Sequence, residues 1–232
     1  KEQKILSQFP FTDFKFFIFF KNFIDDIYKE VETLNSISLS NEENFAVKTI
    51  KEDLLNHGFL ELNETDIWKI KPGKKYFVTR NDSSIIAFKI PKNPDKQFKI
   101  TATHTDSPTF KIKPNPLKRY KNIASLNCEP YGGGLYYSFL DRPLTLAGRV
   151  FIKDDNQVYS ELLYIDQDLL YTPSLCIHFR RNANTALEVN PATDTIPMLG
   201  EWDDDFSFND FLTEKAGGNV ISYDLYLATR EK

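Results

Sequence analysis

The apolar residues of this chain change their spacing at Lys74, and this change restricts the fold strongly. The preceding segment opens with the capping-box pattern of Ser40 and Glu43, and Gly58 supplies a helix stop. Apolar residues recur between these signals at helical spacing, so we predict a helix. From Lys74 onward the apolar residues fall in short β-rich runs. A helix followed by strands predicts the first layers of an α/β domain.

Two β-rich runs, residues 76–79 and 85–88, flank a polar stretch and predict a hairpin. A third run, residues 98–103, alternates polar and apolar side chains and ends at His104. The backbone at a strand end is held rigidly while the residues that follow can face a cleft, so enzymes often place functional groups there. His104 is therefore a candidate functional residue.

The composition limits the classes of function. The chain has 232 residues, 41% of them hydrophobic, which is enough for one large domain or two small ones. A net charge of -4 argues against nucleic acid as the main partner. The first 23 residues contain eight phenylalanines, but the run is too short to span a bilayer and lacks a signal-peptide cleavage site. We expect an amphipathic helix or strand there, no membrane contact, and a cytoplasmic protein with its two cysteines buried and reduced.

The second half of the chain differs in character from the first. Two prolines and several cations in Lys111–Pro116 predict a domain boundary. A β-rich domain is expected to follow. Its predicted strands include residues 144–152 and 158–165, and residues 206–215 are predicted to form a short helix. A last strand is predicted at residues 220–227.

The pair His104 and Asp106 has the spacing of a metal ligand with its supporting carboxylate. A histidine that binds zinc through one ring nitrogen usually donates the other N–H to an acceptor, which fixes the tautomer. Asp106 could be that acceptor or could itself approach the metal. His-x-Asp is a weak motif by itself, and a capping or hydrogen-bonded structural role is its alternative.

Seven collinear blocks closely resemble the M18 metallopeptidases, the aspartyl aminopeptidase family, over the chain from about Lys74 to Leu227. The blocks are Tyr76–Ser84, Ala102–Pro108, Lys111–Pro116, Glu129–Leu135, Asp141–Arg142, Leu144–Val150 and Pro173–Phe179. The chain departs from the family at Tyr136–Leu140 and Pro143, where the family usually has tryptophan and aspartate. The aromatic character remains, but the acidic group does not.

The resemblance implies a zinc aminopeptidase with two zinc ions, whose α/β catalytic domain is interrupted by a β-rich dimerisation domain. We expect residues 1–110 to begin the catalytic domain, 111–218 to form the insertion and 219–232 to return to the catalytic domain. The resemblance also implies that the bridging aspartate, the general-base glutamate and the remaining ligands lie downstream of the matched segment. The chain then corresponds to the N-terminal half of such an enzyme.

The resemblance assigns roles to three residues. It implies that His104 is a zinc ligand and that Asp106 is the carboxylate that orients it. His178 falls on a histidine taken as a zinc position in bacterial members of the family. Its neighbours Leu175, Ile177 and Phe179 alternate as on a strand of the inserted domain, so a structural or subunit-contact role is equally open.

The function implied is hydrolysis of the first peptide bond of peptides with an N-terminal Asp or Glu, by a homo-oligomer built from dimers. A non-enzymatic alternative is an incomplete fragment that serves only as an assembly or dimerisation module. Another alternative is a different metallohydrolase of the same clan, such as a deacylase or a carboxypeptidase. The glycine-rich block Glu129–Leu135 and the strand Leu144–Val150 argue against the last.

Overall fold

The computed structural model describes residues 17–19, 43–93, 99–155, 157–202 and 205–230. The predicted capping residue Ser40 and most of the phenylalanine-rich start lie outside this set. The chain divides into two compact units. Of the described residues, 17–19, 46–93 and 99–106 belong to the first unit, and 43–45 and those from 107 to 230 belong to the second.

The first unit is a five-stranded sheet accompanied by most of one helix. Helix α1 is Glu43–Asn56, and the strands are β1 Phe17–Phe19, β2 Leu60–Leu62, β3 Lys75–Arg80, β4 Ser84–Lys89 and β5 Thr101–Thr103. The strand order is β2-β3-β4-β1-β5. The predicted helix is confirmed, and Gly58 follows it with φ +74°. Val47 and Leu54 of α1 pack with Phe77 and Ile85 of the sheet in a small core.

The predicted hairpin is also confirmed, because β3 and β4 pair in antiparallel register from Lys75 opposite Lys89 to Arg80 opposite Ser84. Asn81 and Asp82 adopt positive φ in its turn, which short polar side chains tolerate. Strand β5 ends at Thr103, directly before His104, and pairs with β1. The sheet therefore fixes the backbone on which His104 sits.

The second unit is built almost entirely from strands. They are β6 Thr109–Tyr120, β7 Ile123–Tyr131, β8 Pro143–Asp154, β9 Gln157–Tyr164, β10 Leu170–Tyr171, β11 Met198–Glu201 and β12 Val220–Thr229, with helix α2 at Phe208–Ala216. The order is β10-β11-β7-β6-β12-β8-β9, and β10 also pairs with β8. That pairing closes the strands into a ring around a buried core that includes Phe110, Leu126, Leu146 and Leu225. The described residues are thus sheet-rich, and an α/β arrangement is not evident in them.

The predicted boundary at Lys111–Pro116 lies inside strand β6 instead of between domains. The register of β6 against β7 shifts between Ile112 and Leu117. Pro114 and Pro116 lie in this irregular stretch, where a missing amide donor costs no ladder hydrogen bond. The two units divide earlier, between Asp106 and Ser107.

The last strand also differs from expectation, because β12 does not return to the first unit. It pairs with β8 from Val220 opposite Ile152 to Thr229 opposite Leu144, and with β6 at Tyr226. Its side chains Leu225 and Leu227 are fully buried in the core of the second unit. Burying them there removes apolar surface from water, which explains the placement.

Of the two free cysteines, only Cys128 is buried as predicted. Its burial raises the thiol pKa to about 11, and its Sγ contacts the carbonyl oxygen of Thr195 at 3.2 Å. Cys176 is exposed, contrary to the prediction, because it lies in an irregular segment and not in a packed strand.

Candidate functional site

His104 lies at the end of β5 with its imidazole held by its own chain. The ring Nδ1 is 2.6 Å from the backbone carbonyl oxygen of Asp106. Because a carbonyl oxygen can only accept, Nδ1 carries the proton and donates it. The neutral ring then has its lone pair on Nε2, and the side chain is 73% exposed. A metal ion could therefore bind at Nε2.

The carboxylate of Asp106 lies close to the same ring nitrogen, with Oδ1 at 3.5 Å from Nδ1 of His104. This side chain is only 20% exposed. An acceptor beside the protonated ring nitrogen fixes the tautomer and makes the other nitrogen a stronger donor to a metal. The backbone carbonyl and the carboxylate of one residue thus both act on the ring.

Thr105, between these two residues, ties the segment to the β3–β4 hairpin. Its hydroxyl donates to the carbonyl oxygen of Ser83 at 3.3 Å. The two residues are 22 positions apart, and no spacing in the sequence indicated this contact. It adds a second point at which the His104 segment is attached to the sheet of the first unit.

The described residues supply one candidate zinc ligand of this kind and do not complete a site. Across those ranges, no group of three or more His, Cys, Asp or Glu side chains is arranged to hold a metal ion. A catalytic zinc needs about three protein ligands and an open position. The donor chemistry of His104 and Asp106 fits zinc as one ligand with its orienting group.

His178 lies in the second unit, in a turn at residues 177–179. The strand expected around it is not formed, and the side chain of His178 is exposed. Its neighbours Leu175, Ile177 and Phe179 are 53%, 45% and 81% exposed. Apolar alternation here reflects side chains that face solvent on a turn, not a half-buried strand.

Asp141 anchors the segment that leads to this turn. Its carboxylate accepts hydrogen bonds from the amide of Ser174 at 2.9 Å and from the hydroxyl of Tyr171 at 3.1 Å. The hydrogen bonds from Ser174 are the main cause of a lowered pKa for Asp141. Asp141 belongs to a block that resembles the family, but its anchoring role could not be inferred from sequence.

An ion pair between Arg180 and Asp194 holds the other side of the turn. Nη2 of Arg180 is 2.6 Å from Oδ2 of Asp194, and both side chains are 20% exposed. The amide of Asn190 donates to the same oxygen at 3.1 Å. Arg180 is the largest cause of the lowered pKa of Asp194. Nothing in the sequence pattern pointed to this pair.

The glycine-rich block after β7 packs closely against Pro108. A Cβ on Gly134 would lie 3.1 Å from Cβ of Pro108, and Gly132 has φ +72°. These contacts agree with a tight, close-packed turn.

Among the described residues, no helix has the length and apolar character needed to cross a bilayer.

Comparison with known proteins gives one protein family. The profile described as "Aminopeptidase I zinc metalloprotease (M18)" matches residues 37–216. A probable M18 family aminopeptidase 2 from Clostridium novyi is 41% identical over 213 residues, which cover 87% of this chain and 49% of the relative. Aspartyl aminopeptidase 1 from Schizosaccharomyces pombe is 41% identical over 175 residues, covering 73% of this chain and 37% of the relative.

Solved structures give the same result at the level of the fold. A cryo-EM structure of the complex of Ape4 with Nbr1 matches with a TM-score of 0.77 and 31% identity, over 87% of this chain and 44% of that chain. A Saccharomyces cerevisiae mApe1 dodecamer matches with a TM-score of 0.66 and 23% identity, over 89% of this chain and 49% of that chain. The chain spans half or less of the length of these relatives.

Proposed function

Because the chain belongs to the M18 family of aminopeptidases, we propose that the protein hydrolyses the first peptide bond of peptides with an acidic N-terminal residue. His104 is the proposed zinc ligand, and Asp106 orients it. The observation that carries this assignment is the 2.6 Å contact between Nδ1 of His104 and the carbonyl of Asp106. It leaves Nε2 as the donor for a metal.

The chemistry follows that of other zinc hydrolases. A bound zinc lowers the pKa of water and polarises a carbonyl. Two zinc ions are proposed for the complete protein. His104 contributes one nitrogen, Asp106 orients its ring, and His178 is the second proposed ligand. The general-base glutamate and the other ligands that the resemblance implies are not assigned to residues of this chain.

Specificity for Asp or Glu rests on relatives that are named aspartyl aminopeptidases. An acidic side chain in a substrate pocket needs a cation or oriented amides as its partner. Rates of the full-length protein on Asp-, Glu-, Leu- and acyl-amide substrates test the proposal. Faster release from the Asp amide supports it, and cleavage of the acyl amide alone supports a deacylase of the same clan.

A non-enzymatic assembly module is the competing class of function. It predicts no zinc and no release of aspartate from a chromogenic Asp amide, with or without a chelator. The aminopeptidase proposal predicts hydrolysis that a chelator removes and added zinc restores.

The free thiols of Cys128 and Cys176 support a reducing, cytoplasmic location.

Assembly into a homo-oligomer built from dimers is proposed as well, in keeping with the mApe1 dodecamer. The exposed side chains of Leu175, Ile177 and Phe179 support it, because adjacent exposed apolar residues commonly mark an interface. Phe179→Ser is expected to lower the mass measured by light scattering. The control Ile67→Ser removes a side chain that is 83% exposed in the first unit and should leave the mass unchanged. Equal masses for both variants would count against this interface.

Asp106→Asn is expected to weaken zinc binding about 10- to 100-fold, as is usual when the partner of a ligating histidine is altered. The amide keeps the shape of the side chain but removes the negative charge beside Nδ1. Competition with a zinc-binding dye in the full-length protein measures the change. Asp66→Asn, at an exposed position of the same unit, is the matched control. An unchanged zinc affinity for Asp106→Asn would remove the role of the carboxylate and leave the backbone carbonyl as the group that orients His104.

A further inference from the structure

Strands β10 and β11 are joined by a long segment, residues 172–197, that contains neither helix nor strand. Connections this long in compact domains are usually disordered or functional. Specific polar contacts attach this segment to the strands of the second unit. The carbonyl of Thr195 near its end contacts the buried thiol of Cys128, and Thr195 itself is only 1% exposed.

The turn that carries His178 cannot be held by apolar packing of its own side chains. Leu175, Ile177 and Phe179 are all largely exposed. The turn is closed by backbone hydrogen bonds from the amides of Phe179 and Arg180 to the carbonyl of Cys176. Such a turn keeps a fixed direction only if groups on both sides of it are anchored.

Before the turn, Asp141 supplies the anchor. It accepts from the amide of Ser174 through its carboxylate, and its own amide donates to the carbonyl of Thr172 at 2.9 Å. These contacts hold the chain where the segment begins, four residues before His178.

After the turn, Arg180 supplies the anchor. Its Nη2 binds Oδ2 of Asp194 at 2.6 Å, and its Nη1 donates to the carbonyl of Glu188 at 3.0 Å. One planar guanidinium thus joins three parts of the segment, and charge-assisted hydrogen bonds of this kind are the strong ones. Asp194 is held in turn by the amide of Asn190 and the hydroxyl of Thr193.

We propose that Arg180 is a positioning residue for His178, which lies two positions before it. The guanidinium fork, bound to Asp194 and Glu188, fixes the direction in which the turn presents the imidazole. This proposal rests on the proposed function of His178 in the aminopeptidase. Removing the fork lets the turn reorient without altering the core of the second unit.

The first test measures the turn itself in the full-length protein. Hydrogen exchange of the amides in residues 176–190 should be about 10- to 100-fold faster in Arg180→Ala, as expected from the loss of charge-assisted hydrogen bonds. Arg180→Lys keeps the charge but cannot form both contacts and should give an intermediate rate. Arg181→Ala removes a neighbouring exposed arginine and should leave exchange unchanged.

The second test measures kcat/KM on an Asp amide. Arg180→Ala should lower kcat/KM about 10- to 100-fold. Millimolar guanidinium should restore part of this loss. The double variant that also carries His178→Ala should have the same kcat/KM as His178→Ala alone. Faster exchange with unchanged kcat/KM overturns the positioning role, as do additive losses in the double variant. If hydrogen exchange is unchanged in Arg180→Ala, Arg180 does not anchor the turn, whatever the activity of the variant. If His178→Ala is fully active, the proposed role of His178 fails and the positioning role fails with it, while the exchange data still report on the anchor.

Discussion

His104→Ala is expected to lower kcat/KM on an Asp amide by about 1,000-fold or more and to remove bound zinc. Loss of a partner of a ligating histidine costs about 10- to 100-fold, and loss of the ligand itself should cost more. The fold should be unaffected, because the side chain is 73% exposed and its hydrogen bond is local. Three measurements on the same preparation of the full-length protein check these expectations. They are the zinc content, kcat/KM, and thermal unfolding as the test of the fold.

His57→Ala is the matched control for this variant. His57 lies next to the end of helix α1, where Nδ1 contacts the carbonyl of Asp53 at 2.8 Å. Its removal should cost at most about 1 kcal/mol of stability through the helix end and leave zinc content and activity unchanged. Full activity and zinc content in His104→Ala would contradict the assignment of His104 as a zinc ligand.

The parts of this protein that sequence predicted well are those fixed by neighbours in the chain. The hairpin of β3 and β4 follows from two β-rich runs around a polar turn, and β5 follows from alternation that ends at His104. The closeness of His104 and Asp106 has the same origin, because two residues along a turning backbone cannot separate far. Local periodicity was sufficient for these features.

Contacts between distant residues could not be predicted in this way. Asp141 and Ser174 are 33 positions apart, and Arg180 and Asp194 are 14 apart within an irregular segment. The alternation around His178 favoured a strand, because periodicity reports which side chains are apolar but not what covers them. Its apolar neighbours are exposed on a turn, which local patterns do not distinguish from a strand.

The closed ring of the second unit was missed for a related reason. Ring closure depends on the pairing of β10 with β8 and on the insertion of β12 between β6 and β8. The prolines of β6 suggested a boundary because a proline lacks an amide donor, but an irregular register at that point makes the missing donor harmless. Only the strands that pair with β6 decide whether its prolines mark a domain boundary or an irregular stretch within the strand.

Gly148→Ala is expected to destabilise the second unit by about 2–6 kcal/mol. Gly148 has φ +147°, and a Cβ at this position would overlap the carbonyl oxygen of Asp224 and lie 3.0 Å from Cα of Leu225. Both neighbours are backbone of β12 and cannot rotate away. Backbone strain of this kind costs about 1–3 kcal/mol, and overpacking costs about 1–3 kcal/mol more. Chemical denaturation, followed by fluorescence, measures the change.

Gly133→Ala provides the control, because a Cβ there would meet nothing within 4 Å. Its unfolding midpoint should match that of the unaltered chain. The comparison also tests the position of the last strand, since the expected cost exists only if β12 lies directly beside β8, where Leu225 is opposite Gly148. If Gly148→Ala unfolds at the same denaturant concentration as Gly133→Ala, β12 does not occupy this place in the ring. In that case the original expectation, a strand that returns to the first unit, regains its support.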